Sequence, residues 1–167
     1  NNKLLWVKDG TDLSPAGVVV HKVFYNGVTS ASIETLCVTD VSGKLYCKGD
    51  GAYGKLGQGG TSQSDSTSWV TPIGMKSGVT DVQITAGAVL AIKDGELWGW
   101  GQANQIPTTE TTSYFYQPHN TGIKVKKIMI GDGATIGLSC HIDMEDDLYC
   151  VGNVRTPSSS LRFIGSL

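Results

Sequence analysis

The chain has 167 residues and combines many glycines with few charges. Its 22 glycines are roughly twice the usual share of about 7%, and its charged residues, at 17%, fall below the usual quarter or so. The formal net charge of -2, without a long basic stripe, excludes the electrostatic pattern of a nucleic-acid binder.

Short strands are the predicted elements, because no window carries a sustained helical stripe with caps. Residues 79–86, VTDVQITA, alternate with a period of two, which places Val79 on the face opposite Val82 and predicts a half-buried strand. Residues 123–130, IKVKKIMI, begin in the same way but change phase between Val125 and Ile128, as a β-bulge would require.

An internal repeat organises these strands. Three segments share a leucine-aromatic pair and a closing glycine: GKLYCKG at 43–49, GELWGWG at 95–101 and DDLYCVG at 146–152. Two further predicted strands precede each of these segments in the same order. They are 21–27 and 34–40 in the first repeat, 80–87 and 88–94 in the second, and 126–133 and 136–143 in the third. An outer element is predicted at 4–7, 67–70 and 113–116, with one left over at 160–165. A unit of about 50 residues with four short strands is typical of a propeller blade.

The predicted fold is therefore all-β: a small or incomplete β-propeller of about three four-stranded antiparallel blades, closed by a C-terminal strand. We expect residues 1–167 to form one domain, with repeats at approximately 3–60, 61–106 and 107–155 and a closing strand at 156–167. Pairing of that last strand into the first blade would remove an exposed edge.

The segment GKLYCKGDGAYGKLGQG resembles the signature of the regulator of chromosome condensation repeat, in which a strand runs into a tryptophan-glycine pair and a glycine-rich turn. Lys48-Gly49 stands where tryptophan-glycine is usual, residues 54–57 supply the turn, and Trp100-Gly101 restores the pair in the second repeat. The resemblance implies propeller blades, although three repeats are fewer than the family's usual seven. It also implies a protein-binding rim, used by some members for nucleotide exchange on a nuclear GTPase and by secreted bacterial members to clamp another protein.

Four cysteines lie in two pairs, Cys37 with Cys47 and Cys140 with Cys150, and each pair flanks a predicted tight turn. The middle repeat lacks both cysteines, and its equivalent positions are expected to be Ala91 and Gly99. Because both cysteines are present together in two repeats and absent together from the third, we favour a disulfide within each hairpin. A four-cysteine zinc site and free thiols are the alternatives. Two disulfides indicate an oxidising compartment, extracellular or at the cell surface, and argue against nuclear exchange activity.

The glycine-rich run at 43–60 has two interpretations. It could cradle a phosphate, but it lacks a Gly-Lys-Ser/Thr ending and no helix is predicted after it. Glycines required by turns and by close approach of blades are the favoured interpretation.

A weak calcium candidate lies at the tip of the third predicted hairpin, where solvated charges are the alternative; its residues are Asp143, Glu145, Asp146 and Asp147. The three histidines lie in different repeats and suggest no catalytic pairing; they are His21, His119 and His141. The predicted partner-binding residues are aromatics on loops and outer strands, namely Tyr53, Trp100, Tyr114 and Tyr116. The longest loop with aromatic content is 108–116, TTETTSYFY.

The favoured function is a secreted or cell-surface, non-enzymatic binding domain of the adhesin, inhibitor-like or receptor-binding kind, with a protein or a glycan bound at the propeller rim. The alternatives are the globular head of a pilin-like or other surface-filament subunit, which would self-assemble, and a carbohydrate-active propeller enzyme. No cofactor, catalytic residue or nucleic-acid partner is expected, the lysine cluster at 124–127 being the only basic candidate. No apolar run reaches the length of a membrane span and no signal peptide is evident, so we expect the chain as given to be soluble.

Overall fold

The computed structural model describes residues 14–26, 35–61, 64–131, 138–152 and 162–166. These residues contain two short 3₁₀ turns, Ala52–Gly54 and Ala103–Gln105, and no longer helix. The strands are β1 (Val20–Asn26), β2 (Thr35–Asp40), β3 (Leu45–Gly49), β4 (Ser66–Val70), β5 (Val79–Ile84), β6 (Ala88–Lys93), β7 (Glu96–Gln102), β8 (Tyr114–Gly131), β9 (Leu138–Asp143), β10 (Asp147–Gly152) and β11 (Arg162–Ser166). The predicted outer element at 4–7 lies outside the described residues.

The strands form three antiparallel blades, as the repeat predicts. The first blade is a sheet in the order β1-β2-β3-β4. The second and third blades share one sheet, in the order β11-β10-β9-β8-β7-β6-β5, because the long strand β8 belongs to both. Its residues 114–124 pair with β7 as the outer strand of the second blade, and residues 125–131 pair with β9 as the inner strand of the third. The all-β, incomplete propeller is confirmed.

The C-terminal strand has a different partner from the one we predicted. β11 pairs with β10, with Leu148 opposite Gly165 and Tyr149 opposite Phe163. The strand therefore completes the third blade, and the expectation that it pairs into the first blade is corrected. The physical reason is that the third blade needs an outer strand, since the chain has already used residues 114–124 of β8 on the second.

Two hydrophobic clusters separate the blades. One lies between the first and second blades and includes Leu45, Val82 and Trp100. The other lies between the second and third and includes Leu90, Leu97 and Ile128. The second blade is thus covered on both faces, which explains why five consecutive residues of β6 are buried. We call the face that each blade turns toward the next blade in chain order its front face, and the opposite one its rear face.

Each inner strand begins with a β-bulge at the same place in the repeat. The pairing register shifts between Val20 and Lys22, between Val79 and Asp81, and between Val125 and Lys127. The phase change predicted within 123–130 is therefore confirmed. The strict alternation predicted for 79–86 is wrong at its start, because the bulge turns Val79 to the same buried cluster as Val82.

Both predicted disulfides are present, each between directly opposed residues of a hairpin. Cys37 pairs with Cys47, and Cys140 with Cys150; the Cα atoms are 4.1 Å apart in each pair. No free cysteine occurs among the described residues.

The second blade fills the corresponding place with an apolar contact. Counted from the shared leucine, the equivalent pair is Leu90 and Gly99, which are opposite each other. The predicted equivalent Ala91 is one position off and lies opposite Trp98. The β6–β7 turn is one residue shorter than the β2–β3 turn, which places the partner of Gly99 at Leu90, whereas a pair formed by Ala91 and Gly99 would need a turn two residues shorter. A Cβ on Gly99 would lie 2.5 Å from Cγ2 of Ile106, so the isoleucine occupies the space next to this missing side chain.

Candidate functional site

Three of the four predicted partner-binding residues come together on one surface. The rings of Tyr53 and Tyr114 are stacked, with centroids 5.7 Å apart and an angle of 13° between their planes. The ring of Tyr116 lies 6.0 Å from that of Tyr114, tilted by 44°. All three side chains are half-buried. We call Tyr53, Tyr114 and Tyr116 the tyrosine surface.

Tyr53 reaches this position from an unfavourable backbone conformation. It lies in the 3₁₀ turn Ala52–Gly54 with a φ of 61°, a region that bulky side chains rarely adopt. The turn is held from one end by Asp50, whose Oδ1 accepts a hydrogen bond of 2.7 Å from the backbone N–H of Ala52. Such local strain is a reason to look for function at the residue that bears it.

The glycine-rich loop presses directly against β8. A Cβ on Gly54 would lie 2.9 Å from Cα of Tyr116, so no other residue fits there without displacing the strand. The N–H of Gly59 donates a hydrogen bond of 2.8 Å to the carbonyl oxygen of Tyr116. The loop after the first blade and the outer strand of the second therefore build the tyrosine surface jointly.

An ion pair between a buried lysine and a half-buried aspartate anchors this loop to the second blade. Lys55 is 3% exposed; its Nζ lies 2.7 Å from Oδ2 of Asp50 and donates a 3.0 Å hydrogen bond to the carbonyl oxygen of Ala86. No pattern in the sequence predicts this pair, because lysine is normally a surface residue. The pair fixes the distance between the loop and the strands beneath it.

Trp100, the fourth predicted partner-binding residue, belongs to the core. It is 0% exposed, and its Nε1 donates a hydrogen bond of 2.6 Å to the carbonyl oxygen of Lys55. Trp98 packs against the same hydrophobic cluster, as the two-residue spacing predicts. Because this face of the second blade is covered by the first, Trp100 supports the loop from below and is excluded from the proposed binding surface.

The backbone amides of the glycine loop are already engaged. The N–H of Gly51 donates to Oδ1 of Asp65 at 3.0 Å, and those of Gly54 and Gly57 donate to the carbonyl oxygens of Gly51 and Gly54. With the N–H of Gly59 bonded to β8, these four amides are directed at protein atoms. This arrangement supports the structural interpretation of the glycines over a phosphate cradle.

An exposed polar loop borders the tyrosine surface. Residues 109–113 are exposed, and Oγ1 of Thr112 donates a hydrogen bond of 3.1 Å to the carbonyl oxygen of Tyr114. Glu110 Oε1 lies 3.7 Å from Nε2 of His119, whose ring stacks on Phe115 at 4.4 Å. The border thus offers hydroxyls and a carboxylate beside the aromatic rings.

The acidic hairpin tip forms a turn and does not gather metal ligands. Oδ1 of Asp143 accepts hydrogen bonds from the N–H groups of Glu145 and Asp147, at 3.0 and 2.9 Å. Oδ1 of Asp146 contacts Nζ of Lys126 at 2.7 Å. Within the described residues no three His, Cys, Asp or Glu side chains converge on a common metal position. This arrangement favours the interpretation as solvated turn charges over a calcium site: Asp143 repeats the role of Asp40, which anchors the equivalent turn of the first blade.

The three histidines lie apart, as their spacing suggests. His21 is exposed on β1, His119 borders the polar loop, and His141 is 2% exposed. Burial lowers the pKa of His141 below its ordinary value of 6.5, although nearby Asp143 acts in the opposite direction. The ring stacks on Tyr149 at 5.2 Å, and its Nδ1 finds no hydrogen-bond partner among the described groups.

No helix within the described ranges has the length and apolar character to cross a membrane. On β4, the ring of Trp69 lies under Nζ of Lys48, which is 4.8 Å from the ring centroid.

Comparison with known proteins agrees with the propeller architecture. No protein-family model matches the chain. The human E3 ubiquitin-protein ligase HERC2 is 31% identical over 129 residues, which are 74% of this chain but only 2% of HERC2, and the mouse protein matches equally.

Solved structures share the fold at low sequence identity. Human WBSCR16 superimposes with a TM-score of 0.66 and 20% identity, over 89% of this chain and 38% of WBSCR16. Yeast RCC1 (Prp20), in its complex with Kap60, gives a TM-score of 0.53 and 19% identity, over 74% of this chain and 30% of the yeast protein. The chain therefore spans a minor part of each of these relatives. Together with the blade geometry, these matches confirm that the chain resembles the regulator of chromosome condensation repeat family.

Proposed function

We propose that this chain is a non-enzymatic recognition domain, secreted or displayed at a cell surface, which binds a protein or glycan partner through the tyrosine surface. The observation that carries the proposal is the stack of Tyr53 on Tyr114, maintained at the expense of a strained backbone at Tyr53. Beneath the tyrosine surface, the space between the loop and the second blade is filled by packed side chains and by the Lys55–Asp50 ion pair.

Tyrosines are suited to this role. Each provides a large, rigid contact area with a hydroxyl at its edge, and immobilising it on binding loses little conformational entropy. Tyrosine is also enriched among the residues that dominate binding energy at interfaces. The exposed loop 109–113 would form the polar border that such interfaces have around an aromatic centre.

A fold relative supports a protein partner. Yeast RCC1 (Prp20), which shares this architecture, was solved bound to the protein Kap60. The tyrosine surface of this chain also suits the flat, partly apolar face of a sugar ring. A protein or a glycan are accordingly the two partner classes to test.

The disulfides support an oxidising location. Two hairpin disulfides persist where thiols are not kept reduced, as outside the cell. We therefore propose that the domain works outside the reducing cytosol and that residues 1–167 act there as one unit.

The test screens the wild-type chain against a glycan array and an array of extracellular proteins. Tyr114→Ala removes the central ring and should abolish any binding that the wild type shows. Tyr46→Ala is the matched control, since Tyr46 is also half-buried but lies on the rear face of the first blade.

A hydrolysis assay on each bound glycan separates recognition from catalysis. Binding without cleavage supports the proposal, and turnover that a single substitution abolishes would replace it with a carbohydrate-active enzyme. Binding that survives Tyr114→Ala unchanged would exclude the tyrosine surface as the site.

A further inference from the structure

Successive blades are joined by a repeated backbone hydrogen bond. The N–H of Val79 donates to the carbonyl oxygen of Gly43 at 3.0 Å, and the N–H of Val125 donates to that of Gly95 at 3.1 Å. Each donor lies at the bulge of an inner strand, and each acceptor is a positive-φ residue in the hairpin of the preceding blade, with φ of 76° and 80°. We call this contact the inter-blade clamp.

The two ends of the described chain carry the halves of a third clamp. Asp146 occupies the place of Gly43 and Gly95, two residues before the shared leucine, and its φ is also positive at 71°. Val20 carries the same bulge as Val79 and Val125. Asp146 is exposed, and Val19, beside Val20, is 75% exposed. One acceptor position and one donor position thus face outward at opposite ends of the blade series.

The blade faces at these ends are less covered than their equivalents. Cys37 and Cys47, on the front face of the first blade, are both 0% exposed beneath the second blade. Their equivalent Cys140, on the front face of the third blade, is only half-buried. On the rear face of the first blade, Val23 is 62% exposed and Tyr25 is 55% exposed. The centres of these faces are covered, since Val38 is 1% exposed and Cys150 is 4% exposed. The surface left for a packed neighbour is therefore the inner strand of the first blade and the Cys140 side of the third.

We propose that a second copy of this chain docks head to tail, with its first blade against the front face of the third blade. The N–H of Val20 in one copy donates to the carbonyl oxygen of Asp146 in the other, which repeats the inter-blade clamp between chains. A second copy is the occupant because it carries the donor half with the matching bulge and the exposed apolar rear face. It therefore continues an interface that the chain already forms twice.

The geometry of this contact has a direct consequence. A head-to-tail interface uses two different surfaces of each copy, so it generates a closed ring if the rotation closes and a filament if it does not. The rotation between successive blades decides which of these forms.

Photo-crosslinking tests the contact in the full chain. The N–H of Gly78 donates to the carbonyl oxygen of Ser42 beside the first clamp, and the equivalent residues at the open ends are Val19 and Glu145. A benzophenone side chain at Val19 should therefore crosslink to the 143–147 hairpin of another copy. A mixture of isotopically light and heavy chains identifies crosslinks between copies by mass spectrometry. Benzophenone at Ile73, which is 48% exposed on the β4–β5 connection, is the control and should not reach this hairpin.

Light scattering over a wide range of protein concentration gives the second measurement. The wild type should show a mass that rises above the monomer with concentration, and both Val20→Pro and Val23→Asp should lose it. Val20→Pro removes the donor N–H, whereas Val23→Asp leaves the backbone intact and charges the exposed face. Ile73→Asp should retain the association.

Three results would overturn the proposal. They are a monomer at every concentration, crosslinks from Val19 to the 143–147 hairpin within one copy, and an association that Val23→Asp leaves unchanged while the variant remains folded. None of them bears on ligand binding at the tyrosine surface, so the two proposals fail independently.

Discussion

The ring of Tyr53 lies parallel to the ring of Tyr114, 5.7 Å away, although Tyr53 must adopt a φ of 61° to place it there. The first residue comes from the loop that ends the first blade, and the second begins the outer strand of the second blade. The stacked pair therefore joins two repeats at one surface. The positive φ of Tyr53 lowers stability, whereas the ring position that it maintains is available for binding.

Tyr53→Gly tests whether the strain serves binding. Glycine adopts positive φ freely, which relieves about 1 kcal/mol, while the lost ring stacking costs a similar amount. We expect the free energy of unfolding in urea to remain within about 1 kcal/mol of the wild type, and binding to any array partner to be lost. A variant that retains binding would show that the ring is dispensable, and one that unfolds much more easily would make Tyr53 a structural residue.

Lys55→Met tests the buried ion pair beneath the loop. The substitution retains much of the apolar stem but leaves the Asp50 carboxylate and the Ala86 carbonyl oxygen without the ammonium group. Removing one partner of a buried pair should lower the free energy of unfolding by about 2 to 4 kcal/mol, measured by urea titration.

A double-mutant cycle provides the control for this pair. Asp50→Asn alone should also destabilise, and the double variant should cost less than the two single changes together, because neither leaves the other group uncompensated. Strict additivity of the two changes would contradict a direct interaction between Lys55 and Asp50.

Asp40→Ala tests the carboxylate that anchors the β2–β3 turn. The hydroxyl of Ser42 donates to Oδ1 of Asp40 at 2.6 Å, and this bond, with those from the N–H groups of Ser42 and Lys44, holds the pKa of Asp40 below its ordinary value of 3.8. A depressed pKa stabilises the fold above 3.8, and this contribution is lost as the pH falls through the folded-state pKa.

The variant should therefore unfold at a lower urea concentration than the wild type near neutral pH, and the difference should shrink in acid. Asp143→Ala, which removes the equivalent hydrogen-bond acceptor of the third blade, should also lower the urea midpoint near neutral pH. A difference that persists unchanged below the folded-state pKa would indicate lost packing in place of lost charged hydrogen bonds.

His141 should give the fold a second pH dependence in a different window. Because burial lowers its pKa in the folded state, the unfolded chain takes up a proton first as the pH falls below about 6.5. Urea midpoints should therefore decrease as the pH is lowered from about 7.5 to about 5. His141→Phe retains a ring against Tyr149 but cannot titrate, so its midpoint should change less over the same range. An identical change in wild type and variant would assign the effect to other groups.

The sequence predicted the features that follow from periodicity and from local hairpin geometry. The repeat located the strands, and cysteines flanking a tight turn predicted the bridges correctly. The equivalent of Cys37 is predicted at Ala91 but lies at Leu90, because the β6–β7 turn is one residue shorter than the β2–β3 turn and the prediction requires two. Turn length is weakly encoded in the sequence.

Features that depend on which face is covered could not be predicted. Trp100 and Tyr114 looked alike in the sequence, yet one is core and the other is on the surface, since only the stacking order of the blades decides this. The burial of Lys55 depends on Asp50 and on the carbonyl oxygen of Ala86, which lies far along the chain. The position of Tyr53, Tyr114 and Tyr116 on loops and outer strands follows from the repeat, whereas the stacking of their rings depends on how the first two blades pack.

The two disulfides should differ in how easily reductant reaches them. Cys37 and Cys47 are both inaccessible between two blades, whereas Cys140 is half-buried on the front face of the third blade. Under native conditions, mild reductant followed by alkylation and peptide mapping should therefore label Cys140 and Cys150 first. Replacing Cys37 and Cys47 by alanines should lower the free energy of unfolding by about 2 to 3 kcal/mol, since the bridge restricts the unfolded chain. Equal labelling of both pairs at every time point would show that reduction requires global unfolding, and that the third-blade face is as well protected as the interface between the first two.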